Sequence, residues 1–192
     1  MAVKPDQSTT RGLAGRRFDP FRDRVSRDIR NILSEAFVAV WQGGDGDYAA
    51  VADSLSRRHA QTVYQSYISR RLEAYRAAAE DRRRLDDPGL IEEVIVLWNR
   101  GLFFEVHELI ETHWHEARGV RREVLQTMIQ AAAVYVHREA GRESAAAKLG
   151  RRVSARLDNL RSHLKAIANL DALVRELATP QSRPPILRGN KH

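Results

Sequence analysis

Cysteine is absent from this sequence of 192 residues. The absence excludes disulfides, thiolate zinc sites, iron–sulfur clusters and cysteine nucleophiles, so any metal must be bound by histidine, carboxylate or amide groups. Long apolar runs are missing too, since none approaches the roughly 20 residues that a membrane-spanning helix needs. The N-terminal residues also lack the apolar segment of a secretory signal. We therefore expect a cytoplasmic protein that does not enter a membrane.

Strand-like alternation of apolar and polar residues is also missing. Apolar residues recur instead at spacings of three and four, the period of a helix with one buried face. Short connections predict that neighbouring helices run antiparallel. The expected fold is therefore all-α, a helical bundle or a stack of antiparallel helical hairpins. No phosphate-binding loop, dinucleotide fingerprint, serine-hydrolase elbow or zinc-finger spacing is present, so the sequence supports none of those classes of protein.

Turn-forming residues divide the chain into three parts. A turn at Pro88-Gly89 separates a helical N-terminal extension, residues 1–87, from a helical domain, residues 88–178. The proline-containing residues 179–192 are predicted to form an extended tail.

Helix boundaries follow from caps and glycines. In the extension, Asp19 before Pro20 predicts the start of the first helix, and residues 47–84 are expected to form one long or two shorter helices. In the domain, glycines predict the ends of successive helices. The four helices predicted there are residues 90–100, 102–117, 120–140 and 143–169.

The most informative stretch is FFEVHELIETHWHE, residues 103–116. At about 100° per residue, His107 and Glu111 fall within the apolar face of this helix. Because they are four residues apart, their side chains can reach one point in space. Burying an ionised carboxylate without a partner costs several kcal/mol, so Glu111 is expected to be neutralised, paired or metal-bound.

The opposite side of the same helix is predicted to face solvent and carries Glu105 and Glu108. Leu109 is the apolar exception on this side and is expected to contact another helix. A zinc-protease motif is excluded, because Glu111 stands where that motif needs a second histidine and Glu108 points about 100° away from His107.

Three interpretations of His107 and Glu111 stay open. They form a hydrogen-bonded pair that serves packing alone, two ligands of a divalent cation, or a proton-handling pair in which the carboxylate orients the imidazole. The next helix offers further polar groups along its apolar stripe, namely Gln126, Gln130 and His137. Each of these can instead border the core, and His137 can cap the end of its helix.

The same residues resemble a known family. His107, Glu111 and Trp114 match the HxxxExxW motif of the bacterial and archaeal domain of unknown function 309 family, and the similarity extends over about residues 88–161. The flanking segments that take part are Trp98-Asn99-Arg100-Gly101, Leu125-Gln126, Ile129-Gln130 and His137. The resemblance implies an all-α domain of unestablished function whose motif has been suggested to bind metal, and it does not reach residues 1–87.

The leading hypothesis is a metal site with His107 and Glu111 as ligands, completed by His137 or Gln130. Mixed imidazole and carboxylate ligands favour zinc, manganese or iron over calcium, and hydrolysis by a metal-bound water is one use of such a site. Supporting or pocket-wall positions are expected for Glu105, Glu108, Trp114, Gln126 and Gln130.

Positive charge supports a rival hypothesis from another class of protein. The chain has a net charge of +7, and one predicted helix presents a basic face made of Lys148, Arg151, Arg152 and Arg156. In this alternative the protein is a non-catalytic interaction module that binds nucleic acid or an acidic protein through the basic face. No aromatic residue interleaves the basic face, so stacking on bases is not indicated. The amphipathic helices also favour a homo-oligomer, whereas no pattern identifies a substrate or reaction.

Overall fold

A computed structural model of the protein describes residues 17–179 and 183–190. Within these ranges the backbone forms eight α-helices, one short 3₁₀ helix and no β-strand, which confirms the all-α prediction. The α-helices are α1 (Arg24–Trp41), α2 (Tyr48–Arg58), α3 (Thr62–Arg82), α4 (Leu90–Asn99), α5 (Phe103–Trp114), α6 (Gly119–Glu139), α7 (Glu143–Asn159) and α8 (Leu170–Ala178). None of these helices is both long and apolar enough to cross a membrane.

Helix α1 begins later than predicted, with Asp23 rather than Asp19 as its N-cap. The Asp23 carboxylate accepts hydrogen bonds from the backbone N–H groups of Val25 and Ser26 and from the hydroxyl of Tyr64 on α3. Asp19 instead closes a turn, since its carbonyl accepts from the backbone of Asp23 at 2.9 Å. Contact with α3 therefore selects the second of two good N-cap residues.

The predicted helix over residues 143–169 was wrong beyond Asn159, where α7 ends. A 3₁₀ turn and an irregular segment follow before α8 begins at Leu170. Leu160, Leu164 and Ile167 remain buried through this irregular segment. The apolar spacing continued past the end of the helix because the non-helical residues also face the core.

A single apolar core joins both sides of the turn at Pro88. Helix α1 packs on α2, α3 and α5, and α3 packs on α2 and α4, while α4, α5, α6 and α7 each pack on the next helix in sequence. Gly101, in the middle of the three-residue connection between α4 and α5, has a φ of 69°, a conformation that favours glycine. This arrangement places the extension directly against helix α5.

Residues 183–190 contain no helix, and they lie back against the domain. Leu187 is buried, and its backbone exchanges hydrogen bonds of 2.8 and 2.9 Å with the side-chain amide of Asn99. The indole N–H of Trp98 donates to the Pro185 carbonyl at 2.9 Å. The two side chains of α4 thus satisfy backbone groups that a loose segment would leave to water.

Candidate metal site and the neighbouring buried network

Helix α5 is covered on more than one side. Val106 and Ile110 are buried, and so is Leu109, which was expected to meet another helix although it lies on the side predicted to be polar. Helices α4 and α6 cover one part of α5, and α1 covers another. Only a strip along α5 is left partly exposed, and this strip carries the candidate ligands.

The side chains of His107, Glu108 and Glu111 converge on this strip. Nδ1 of His107 lies 3.1 Å from Oε1 of Glu108 and 3.8 Å from Oε2 of Glu111. One potential ligand atom from each residue lies within 4.8 Å of the other two. The ring of Phe104 stacks parallel to the imidazole at 6.0 Å between centroids, which holds one face of the ring.

These separations suit a small cation. Ligand atoms about 2.0–2.2 Å from a tetrahedral zinc ion lie about 3.3–3.6 Å from one another. The two distances from His107 Nδ1, 3.1 Å to Glu108 and 3.8 Å to Glu111, bracket that spacing.

The prediction that His107 and Glu111 lie in a buried face was wrong. The side chain of His107 is 29% exposed and that of Glu111 is 43% exposed. The Glu111 carboxylate therefore stays in contact with solvent and does not need a partner to offset the free-energy cost of burial.

The buried carboxylate of α5 is Glu105, which was predicted to face solvent. It is fully buried. Its Oε1 accepts a hydrogen bond of 2.6 Å from the hydroxyl of Tyr75, and its Oε2 lies 3.7 Å from Nη1 of Arg71. Both partners belong to α3, so the extension supplies the groups that neutralise the charge.

Arg71 is the centre of this buried network. Its guanidinium donates to the Tyr67 hydroxyl at 3.1 Å, to the Gly101 carbonyl at 2.9 Å and to Glu139 at 3.2 Å. Burial by itself disfavours the cation, but the negative charges of Glu105 and Glu139 hold the pKa of Arg71 well above its usual value. Burial, followed by the charge of Glu105, raises the pKa of the Tyr75 hydroxyl. At neutral pH Arg71 is therefore a cation, and the Tyr75 hydroxyl keeps the proton that it donates to Glu105.

Three residues of this network were missed, although α3 carried a signal for them. Tyr67, Arg71 and Tyr75 recur at intervals of four, so they lie on one face of the helix. An arginine between two tyrosines on a face that must be buried requires a carboxylate partner. Which carboxylate it meets depends on the packing of α3 against α5, which spacing alone does not give.

The remaining predicted ligands make contacts with residues outside the His107 group. The ring of His137 stacks on Phe21 with centroids 4.8 Å apart, and Gln130 accepts a hydrogen bond from Arg156 at 3.3 Å. Gln126 is half-buried on α6. Within the described residues, only His107, Glu108 and Glu111 bring three histidine or carboxylate ligands together.

Trp114 also has a neighbour other than the candidate ligands. The guanidinium of Arg122 lies 3.8 Å from the centre of the Trp114 ring, a cation–π contact between the ends of α5 and α6. The tryptophan of the motif therefore joins the two helices.

The basic face lies on α7. Lys148, Arg151 and Arg152 are exposed, whereas Arg156 is partly buried against Gln130. A partner for this surface stays a prediction.

The family comparison agrees with the motif. Residues 91–149 match the family model described as Domain of unknown function (DUF309). The DUF309 match confirms the resemblance drawn from the HxxxExxW motif, and it includes all three candidate ligands. It excludes α1 to α3, which supply Arg71 and Tyr75. No curated protein and no solved structure matches the chain.

Proposed function

We propose that residues 91–149, called the DUF309 segment, bind a divalent transition-metal cation through His107, Glu108 and Glu111. The observation that carries the proposal is the convergence of one ligand atom from each residue within 4.8 Å of the other two. Glu108, expected from the sequence to have a supporting position, takes the third ligand position in place of His137.

The ligand set suits zinc, manganese or iron, because these ions accept an imidazole together with carboxylates. The partial exposure of His107 and Glu111 gives the ion a path from solvent. Three protein ligands also leave a coordination position for water or a substrate, as in catalytic zinc sites. Activation of that water for hydrolysis is the chemistry such a position supplies.

Proton competition provides a signature of binding at His107. Its Nδ1 is 3.1 Å from the Glu108 carboxylate, so a cation bound at Nδ1 must replace the hydrogen bond between these two groups. Because protons compete with cations for imidazole and carboxylate ligands, metal uptake should weaken as the pH falls.

The test is metal content and metal titration on protein purified without chelators. We expect near-stoichiometric uptake of zinc, manganese or iron by the wild-type chain, and its loss in His107→Gln and Glu111→Gln. His113→Gln is the matched control, because His113 lies on the same helix outside the group. The variants should keep the wild-type circular dichroism and melting temperature, since both replaced side chains are partly exposed. A wild-type chain that takes up none of the three metals would refute the proposal.

A further inference from the structure

A cavity of about 600 Å³ lies between the extension and the DUF309 segment. Its lining comes from α3, from the turn before α5, from Phe104, from the end of α6 and from Arg30 of α1. Arg17, Phe18 and Pro20, which precede α1, also line it. Its volume is typical of sites for small organic molecules.

Five arginines line this space, which we call the arginine cavity: Arg17, Arg30, Arg70, Arg71 and Arg100. Two of them are already neutralised. Arg71 is paired with Glu105 and Glu139, and Arg100 is paired with Asp81 at 2.5 Å.

The other three arginines have no carboxylate within 4.0 Å in the described part of the chain. Arg17 donates to the backbone carbonyl of Glu139, and Arg30 donates to the side chain of Asn31. Arg70 lines the cavity as an exposed side chain. Glu139 also lines the cavity, and Arg71 already compensates Glu105, so these three arginines together with Glu139 leave the space with a net positive charge.

Arg30 shows the cost of this arrangement most clearly. It is partly buried, and its guanidinium lies 3.8 Å from the centre of the Phe104 ring. Burial lowers the pKa of Arg30, and the attraction of Glu108 and Glu105, opposed by the repulsion of Arg71, only partly compensates for the lost hydration. A partly dehydrated cation without a direct counter-ion gains most from an anion placed beside it.

The rest of the lining suits an organic body. The rings of Phe18 and Tyr67 stack at 3.6 Å between centroids, and Phe104, Val63 and Ala74 add apolar surface. Burial raises the pKa of Tyr67 to about 12, so its hydroxyl keeps its proton at neutral pH. Aromatic and apolar surface beside a few polar groups is the usual composition of a small-molecule site.

We propose that the arginine cavity binds a small organic phosphate, with the phosphate held by Arg17, Arg30 and Arg70 and the apolar body packed near Phe18 and Phe104. Phosphate is favoured over carboxylate because it carries up to two negative charges and offers three oxygens to several guanidinium groups. The proposed phosphate site does not require a metal to be bound by the His107 group.

The probe is phenyl phosphate, titrated calorimetrically into the full chain in the presence of a chelator. The chelator removes any contribution from the proposed metal site. Arg30→Gln and Arg70→Gln should each weaken binding about 10-fold or more, as expected for the loss of a charged hydrogen-bond partner. The matched controls are Arg27→Gln on α1 and Arg76→Gln on α3, two exposed arginines that do not line the cavity. Each control should bind within about twofold of wild type.

Inorganic phosphate and benzoate are the control ligands: the first has the phosphate without the ring, and the second has the ring with a carboxylate in place of the phosphate. Phenyl phosphate should bind more tightly than either, because only it supplies both the multiply charged group and the aromatic ring. Benzoate binding as tight as that of phenyl phosphate would overturn the assignment to phosphate. Failure of the wild-type chain to bind phenyl phosphate, or equal weakening in the control variants, would overturn the site.

Discussion

Two side chains of α3 compensate the buried negative charge of Glu105. Tyr75 and Arg71 are the groups that contact its carboxylate oxygens. Removing one member of a buried ion pair leaves the other without compensation, which costs far more than the pair itself contributes.

Arg71→Met should therefore lower the free energy of unfolding by about 3–5 kcal/mol, because the Glu105 carboxylate stays buried. In the Arg71→Met/Glu105→Gln double variant that charge is gone, and Tyr75 can still donate to the amide oxygen. The double variant should lose less than the sum of the two single variants. Urea unfolding of all four proteins measures the coupling, with the exposed Arg76→Met as a control on the same helix. Strictly additive losses would show that Arg71 and Glu105 do not interact.

His137 makes stability depend on pH. Burial, and then the charge of Arg142, lower the pKa of this imidazole below its usual value of 6.5. The unfolded chain therefore binds a proton at a higher pH than the folded chain does. The contribution of His137 to stability is complete above about pH 6.5 and declines as the pH falls from there towards the lower folded-state pKa.

His137→Phe keeps an aromatic ring against Phe21 and cannot titrate. Its free energy of unfolding should fall less than that of the wild type between pH 7.5 and pH 5.5. His115→Gln, which removes an exposed histidine, should retain the wild-type difference. Equal losses in the wild type and His137→Phe would show that His137 does not cause the dependence.

At the scale of elements, α7 and α8 approach closely at one glycine. A Cβ atom at Gly150 would lie 3.3 Å from the carbonyl carbon of Leu177 and closer still to its oxygen, in contact with rigid backbone. Glycine is unfavourable in a helix by about 1 kcal/mol relative to alanine, so it is kept here by packing.

Gly150→Ala should destabilise the protein by about 1–3 kcal/mol, because α8 must move away from α7. Ala155→Gly, at an exposed position of the same helix, measures the difference in helix propensity between alanine and glycine alone. It should lower the free energy of unfolding by about 1 kcal/mol. Thermal or urea unfolding gives both values. Stabilisation by Gly150→Ala would mean that the helices have room for the methyl group.

Helices α4 to α6 could be predicted from spacing and glycines, because each begins and ends at a local signal. The start of α1 could not be predicted, because it depends on a contact between Asp23 and α3. The end of α7 could not be predicted either, because apolar residues beyond Asn159 are buried in the core although they are not helical. The convergence of His107 with Glu111 followed from their spacing on one helix. The burial of Glu105 could not be predicted from spacing. A helix considered alone is assigned a single buried face, whereas α5 contacts several other helices.

At the scale of the whole molecule, the extension and the DUF309 segment share their polar and apolar contacts. Arg71 links α3 to α5 and α6 through Glu105 and Glu139, and the arginine cavity takes its lining from both parts. The arginines that line the cavity are spread from Arg17 to Arg100 in the sequence, so only the folded chain brings them together. The boundary near residue 88 divides the sequence, while the buried side chains on both sides of it form one core.

We therefore expect the two parts to unfold in one cooperative transition. The three tryptophans provide separate reporters, since Trp41 lies in α1 whereas Trp98 and Trp114 lie in α4 and α5. A Trp98→Phe/Trp114→Phe variant reports the extension alone, and Trp41→Phe reports the DUF309 segment. Within each variant, the midpoint of the fluorescence change should coincide with that of the helical circular dichroism signal, because the Arg71 network and the common core are lost together. If fluorescence from Trp41 changed before the helical signal did, the extension would be a separate folding unit, and the arginine cavity would open before the DUF309 segment unfolds.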